Sequence, residues 1–269
     1  MLNKHALEFT CEQFIWGKII CDGKDVSGYA LIAHSSTLTE ETCRKILSRS
    51  SGGISYSILQ GEKGFAFFNM FSNVVFSCTE RSAIPEGGGR YFVQTRYLVM
   101  PWESFEEIGA DFRFLASQAE NVPVLDGKTE LRQIKTTYKL NTHRKEEVVR
   151  RILKKYEKEM LAKTLLAANS HHPIAIFAPQ TGNDDLLEFF QALILLLPPE
   201  SRRKLTFATL CSASDTGPYK VKVNPTGALT IPHIIVRPQD AVVSPASLLK
   251  SLPRDNGWIH ERMAEFLAN

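Results

Sequence analysis

The run Phe65-Ala-Phe-Phe-Asn-Met-Phe71, followed after Ser72-Asn73 by Val74-Val-Phe-Ser-Cys78, decides the fold class. Side chains alternate across a pleated strand. Here Phe65, Phe67 and Phe71 alternate with Ala66, Phe68 and Met70, so both faces are apolar. Such a strand belongs at the centre of a sheet with cover on both sides, because an open face would be prone to aggregate. Gly61-Glu-Lys-Gly64 and Ser72-Asn73 are connections of hairpin length. Ser55–Gln60, Phe65–Phe71 and Val74–Cys78 therefore read as an antiparallel meander.

Upstream, Gln13–Ile20 and Tyr29–His34 are short β-rich runs separated by the turn-prone Asp22-Gly-Lys-Asp25. Thr39 is placed to cap a helix through about Arg49, with Glu40 and Glu41 in its first turn and Gly52-Gly53 ending it. Downstream, Pro85-Glu-Gly-Gly-Gly89 reads as a flexible loop before a further strand, Arg90–Met100. Helices are expected at about Trp102–Gly109 and Asp111–Ser117, packed on the sheet.

Glu120–Asn141 is polar and weakly patterned, and a domain boundary is expected within it. The spacing of Val148, Ile152, Tyr156 and Met160 predicts one long amphipathic helix from Thr142 to about Asn169. Pro173–Ala178 and Leu205–Leu210 read as strands flanking a helix at about Asp184–Leu197 that is apolar nearly all round. That order fits a βαβ crossover with parallel strands. Pro198-Pro199 stops the helix, and Glu200–Lys204 is expected to add one turn. Lys220–Val223 and Ile231–Val236 read as further strands, and Ser244–Leu252 and Trp258–Leu267 as closing helices. The expectation is an α+β chain: residues 1–135 form a mostly antiparallel sheet with helices, and residues 136–269 a small α/β layer domain.

Of 269 residues, 43% are hydrophobic and 23% charged, which excludes disorder, coiled coil and collagen-like repeats. A net charge of +3 is too small to require nucleic acid or anionic lipid as a partner. The longest apolar stretch, Ala192–Leu197, is far short of a membrane span. The N-terminus lacks the pattern of a signal peptide, so a cytoplasmic protein is expected. Cys11, Cys21, Cys43, Cys78 and Cys211 are scattered and odd in number, as for reduced, mostly buried thiols.

Chemistry-bearing residues are sparse. Gln180, Thr181, Gly182 and Asn183 form a loop between a strand and a helix, where phosphates bind helix N-termini, and they are the candidate binding residues. The following Asp184-Asp185 opposes an anion there and is better explained as complementing the helix dipole. The nucleotide-binding glycine patterns are missing. His171-His172 and His260-Glu261 have no completing ligands at metal-site spacing, so neither metal nor cofactor is expected. Cys78 with His34, or Cys211 with His233, would need to converge in space to make a Cys/His-dependent hydrolase, while each is more simply a buried thiol and an unrelated imidazole. On the helix over 144–163, Arg150, Arg151, Lys154, Lys155, Lys158 and Lys163 interleave with Glu146, Glu147, Glu157 and Glu159. That reads as a solvated face more than a nucleic-acid groove, which remains the second alternative.

Glu12-Gln-Phe-Ile-Trp-Gly17, Gly28-Tyr-Ala-Leu-Ile-Ala-His-Ser-Ser36 and Leu38-Thr-Glu-Glu41 resemble the start of the GTPase-associated protein family of bacterial conflict and defence systems. Pro173–Ala178, Leu186–Pro199 and Leu205-Thr-Phe-Ala-Thr209 are similar to that family's middle domain, so the resemblance spans most of residues 12–210. It implies a non-enzymatic adaptor or signalling component whose partner is an NTPase encoded alongside it. It carries no catalytic residue over. Gln13, Trp16 and Gly17 match its motif, and their plain reading is architectural: Trp16 as a core anchor, Gly17 for a bulge or close backbone approach.

Overall fold

A computed structural model describes residues 6–22, 24–50, 56–120, 131–139, 144–156, 158–169, 174–176, 182–211, 219–223, 234–237, 241–243 and 257–268. The fold is α+β: a mixed sheet carries most of its helices on one face. The meander is its centre. Strands β5 (Gly64–Met70), β6 (Asn73–Arg81) and β7 (Val93–Pro101) pair antiparallel in sequence order. Strand β7 continues to β1 (Ala6–Gly17), and β1 to β4 (Ala30–His34), while β2 (Ile20–Cys21) and β3 (Lys24–Asp25) form a separate small ribbon.

Strand β5 is central, as its two apolar faces require. Phe67 is 0% and Phe68 2% exposed, and they belong to clusters on opposite sides of the sheet. Phe71 is a correction. It is 81% exposed with φ +57° and sits in the turn, because pairing of Met70 with Asn73 leaves Phe71 and Ser72 as a two-residue loop. Such loops need a positive φ whatever residue occupies them. Ser55–Gln60 is a second correction. Tyr56–Leu59 forms a short helix, α2, closed by a hydrogen bond from Gly61 N to Ile58 O at 3.0 Å. Ile58 of this turn is buried.

Other local expectations hold in part: the strand expected over Gln13–Ile20 runs from Ala6 to Gly17. Thr39 caps α1 (Glu40–Arg49), accepting from Thr42 N at 3.2 Å. Asp111 caps α4 (Phe112–Ala119), which follows α3 (Trp102–Glu107). The long helix over Thr142–Asn169 is instead two, α5 (Arg144–Lys155) and α6 (Lys158–Asn169). The break lets α5 lie on α7 (Asn183–Leu196) while α6 packs on the far strands of the sheet. It falls beside Tyr156, whose ring meets that of Phe189 edge-on at 5.3 Å.

Strands β9 (Ile174–Ile176) and β10 (Phe207–Ala208) flank α7 and run parallel, but β11 (Val221–Val223) lies between them. One helical turn, α8 (Pro199–Arg202), follows α7, and β12 (Ile234–Arg237) and β13 (Ala241–Val243) extend the far side of the sheet. Helix α9 (Gly257–Ala268) packs on α5, α6 and α7. Gly52-Gly53, the Ser244–Leu252 helix and part of Glu120–Asn141 lie outside the described residues.

The expected boundary at 135/136 falls inside strand β8 (Ile134–Lys139), which pairs with β1 from Cys11↔Ile134 to Ala6↔Lys139. Strand β10 pairs antiparallel with β5, so the sheet runs through both halves. The core does the same. Phe67 packs on Phe105, Phe112 and Phe207, and Phe207 stacks on Phe190 with centroids 3.8 Å apart. The two halves therefore share one sheet and one core. No helix among the described residues is long and apolar enough to cross a membrane.

Candidate ligand-binding site

The α1 face of the sheet changes character along its strands. Cross-strand register puts Ala208, Ala66, Ser77, Tyr97 and Phe14 in one row, and Gly64, Thr79, Thr95 and Trp16 in the next. Beyond Ala66, the same face of β5 and β6 bears Phe68, Met70 and Val75, which pack with Phe14, Val99, Cys43 and Ile46 of α1. Where the residues are small, no described side chain fills the space above the sheet. A concave pocket of about 360 Å³ opens there. Trp16, Tyr29, Tyr97 and Tyr219 supply aromatic walls, Leu47 and Ile58 aliphatic ones, and Leu210 and Cys211 border it beyond β10.

The polar groups of the lining are hydroxyls, and most are mated. Thr79 and Thr95 share a hydrogen bond of 2.9 Å, as do Ser50 and Tyr97. Thr209 Oγ1 accepts from Phe65 N at 2.7 Å, Tyr29 Oη accepts from Val93 N at 3.2 Å, and Tyr219 donates to Ser50 O at 3.2 Å. Ser77 differs: 4% exposed, its side chain has no hydrogen-bond partner among the described residues. No charged side chain is among the described lining residues. Leu210 holds φ +54°, a strained conformation for leucine.

Of the candidate loop, Gln180 and Thr181 lie outside the described residues. Gly182 is the N-cap of α7 with no side chain to cap it, and Asn183 donates to Lys63 O at 3.0 Å, tying α7 to the turn before β5. The carboxylates that follow have internal partners. Asp185 pairs with Lys155 at 2.9 Å, and Asp184 with Arg113 at 3.4 Å. Buried Glu188, one turn on, accepts from Arg113 at 2.5 Å and pairs with Arg151 at 3.2 Å. Arg150 donates to Phe266 O at 3.1 Å. Arg150, Arg151 and Lys155, from the basic run, thus join α5 to its neighbouring helices.

The thiol–imidazole pairs fare similarly. His34 is in register with Phe14, on the α1 face, whereas Cys78 lies in the helix-covered core, so the sheet separates them. His233, His171 and His172 lie outside the described residues. Cys21 is exposed, and the other four cysteines are buried. Burial pushes the Cys11 thiol up to about 12 and Cys43 up to about 11, and raises Cys78 well above its ordinary value. Burial also pushes Tyr97 up to about 12. These groups keep their protons in the native state while the unfolded thiols ionise from about pH 9. The native chain then binds more protons than the unfolded one, so stability falls as pH rises. Lys220, pushed down to about 8 by burial, opposes this up to its ordinary 10.5. The urea midpoint is expected to fall from about pH 9 to pH 11, less steeply in Cys43→Ala. Equal slopes in the two proteins would contradict the burial argument.

The motif at β1 is architectural, as its plain reading has it, except that Trp16 is only half-buried. Gln13 is buried, accepts from Arg96 Nε at 2.7 Å and donates to Arg132 O at 2.5 Å, joining β1, β7 and the approach to β8. The chain bulges between Ile15 and Trp16, and a Cβ on Gly17 would lie 2.8 Å from Gln94 Cγ. Trp16, expected as a core anchor, stands half-buried at the pocket wall. No family model, curated protein or solved structure matches the chain.

Proposed function

We propose that this chain is a non-enzymatic binding module, the interaction component of a bacterial NTPase-linked conflict or signalling system acting in the cytoplasm. The observation that carries the binding reading is the pocket on the α1 face, with its aromatic, aliphatic and hydroxyl lining. Concave, mostly apolar sites with a few oriented polar groups are what small-molecule recognition uses. Protonated, buried thiols supply little nucleophile, and Cys78 and His34 lie across the sheet from one another, which favours binding over thiol chemistry. The NTPase partner rests on the resemblance of Glu12–Gly17, Gly28–Ser36 and Leu38–Glu41 to the GTPase-associated family. Affinity purification from the native host, read by mass spectrometry, is expected to recover an NTPase encoded beside this chain. Repeated recovery of the chain by itself would overturn the adaptor reading.

A further inference from the structure

The binding-module reading leaves the ligand open, and the pocket's chemistry narrows it. A volume of about 360 Å³ suits a compact molecule, near the lower end of small-molecule sites. A ligand carrying a net charge would be moved from water onto a lining whose described residues offer it no counter-charge, at a large desolvation cost. A neutral sugar is disfavoured for a second reason. Each of its many hydroxyls needs a partner, and most of the described lining hydroxyls already hold one bond, Thr79 with Thr95, Ser50 with Tyr97 and Thr209 with Phe65 N, which leaves few groups to meet them. What the lining offers instead is aromatic and aliphatic surface with one hydroxyl, on Ser77, in want of a partner.

Ser77 is the residue that points to a ligand. It lies on the pocket floor at the middle of the sheet, between Ala66 and Tyr97 in register. Its hydroxyl has no partner among the described residues, and a bound acceptor or donor would supply one. Leu210, strained at the pocket border, adds a local backbone cost there.

We propose that the pocket binds an uncharged heteroaromatic compound of about nucleobase size, its polar edge hydrogen-bonded to Ser77 and its ring held among Trp16, Tyr97 and Tyr219. Heteroaromatic rings fit because they combine a face that packs on aromatic side chains with one or two in-plane hydrogen-bonding atoms.

The test is a ligand-observed NMR screen of the whole chain against three sets of probes. These are uncharged heteroaromatics such as nicotinamide, adenine and uracil, the same kinds of ring bearing a carboxylate, and neutral monosaccharides. Binding is expected in the first set only. Ser77→Ala should weaken it about fivefold, the size of one hydrogen bond. Ser77→Leu, which fills the floor, should abolish it, and Ala66→Leu serves the same purpose if Ser77→Leu does not fold. No binding by the first set, a preference for carboxylates or sugars, or binding that survives the filled floor would each overturn the inference. Ring binding without a co-purifying NTPase would leave this inference standing and remove the adaptor. An NTPase recovered equally with Ser77→Leu, with no ring bound by the natural chain, would do the reverse.

Discussion

Phe67→Ala is expected to lower stability by about 3–5 kcal/mol, a large share of the roughly 5–15 kcal/mol that holds a typical domain together. The ring is fully buried on β5 and touches Phe105 and Phe112 from the covering helices and Phe207 from β10. Its neighbours are themselves locked: Phe112 also packs on Phe76, and Phe207 on Phe190. A space left there cannot collapse, so the cavity term adds fully to the lost transfer energy. Phe68→Ala should cost less. Phe68 packs under α1 and edge-on to Tyr219 at 6.2 Å, close to the pocket, where water or side chains can take up part of the vacated volume. Urea unfolding of the two variants measures both. A Phe68 variant as damaged as the Phe67 variant would contradict the asymmetry between the faces. Two near-natural midpoints would contradict the central strand.

Asp111→Ala is expected to cost roughly 2–4 kcal/mol, combining a lost helix cap with the lost hydrogen bond from the buried Tyr138 hydroxyl. Asp111 is completely buried, accepts from Phe114 N at 3.0 Å, and receives the Tyr138 hydroxyl at 3.0 Å on its other oxygen. One carboxylate thereby starts α4 and fastens β8, from the far side of the expected boundary, to the same helix. Tyr138→Phe removes the hydroxyl and leaves the cap, so it should cost about 1 kcal/mol. If thermal melting ranks Tyr138→Phe equal to Asp111→Ala, the cap contributes nothing and this account fails.

Periodicity exposed the elements whose environment is local. The Phe65–Met70 alternation, the Thr39 cap and the all-round apolar α7 are each written in adjacent residues. Features that depend on distant partners were not legible. Nothing near Gly64–Met70 says that its other neighbour is Phe207–Ala208, so a chain with one sheet read as two units. The helix break beside Tyr156 follows from packing on α7, since the apolar spacing continues across it. The acidic start of α7 and the basic run of α5 each had a local explanation. That they are partners, through Asp185–Lys155 and Glu188–Arg151, is a tertiary fact. The pocket left one sequence trace: Ser77 and Thr79 are small and hydroxylated at alternate positions in an otherwise bulky strand. That spacing marks a shallow place on a sheet face, but only the register with Thr95 and Ala66 makes it a hollow.

The pairing of β5 with β10 also sets an order of events during synthesis. Strands β5, β6 and β7 are contiguous and can pair as soon as they leave the ribosome. The segment Phe207–Ala208 that completes β5 comes much later in the chain. At roughly 5–20 residues per second, the delay is on the order of ten seconds. Throughout it the nascent chain presents its most aromatic strand as an open ladder, with Phe65 and Phe67 not yet covered by α7. The residues that make β5 the best centre of the finished sheet make it the most hazardous edge of the unfinished one. This is the interval in which a chaperone would matter most.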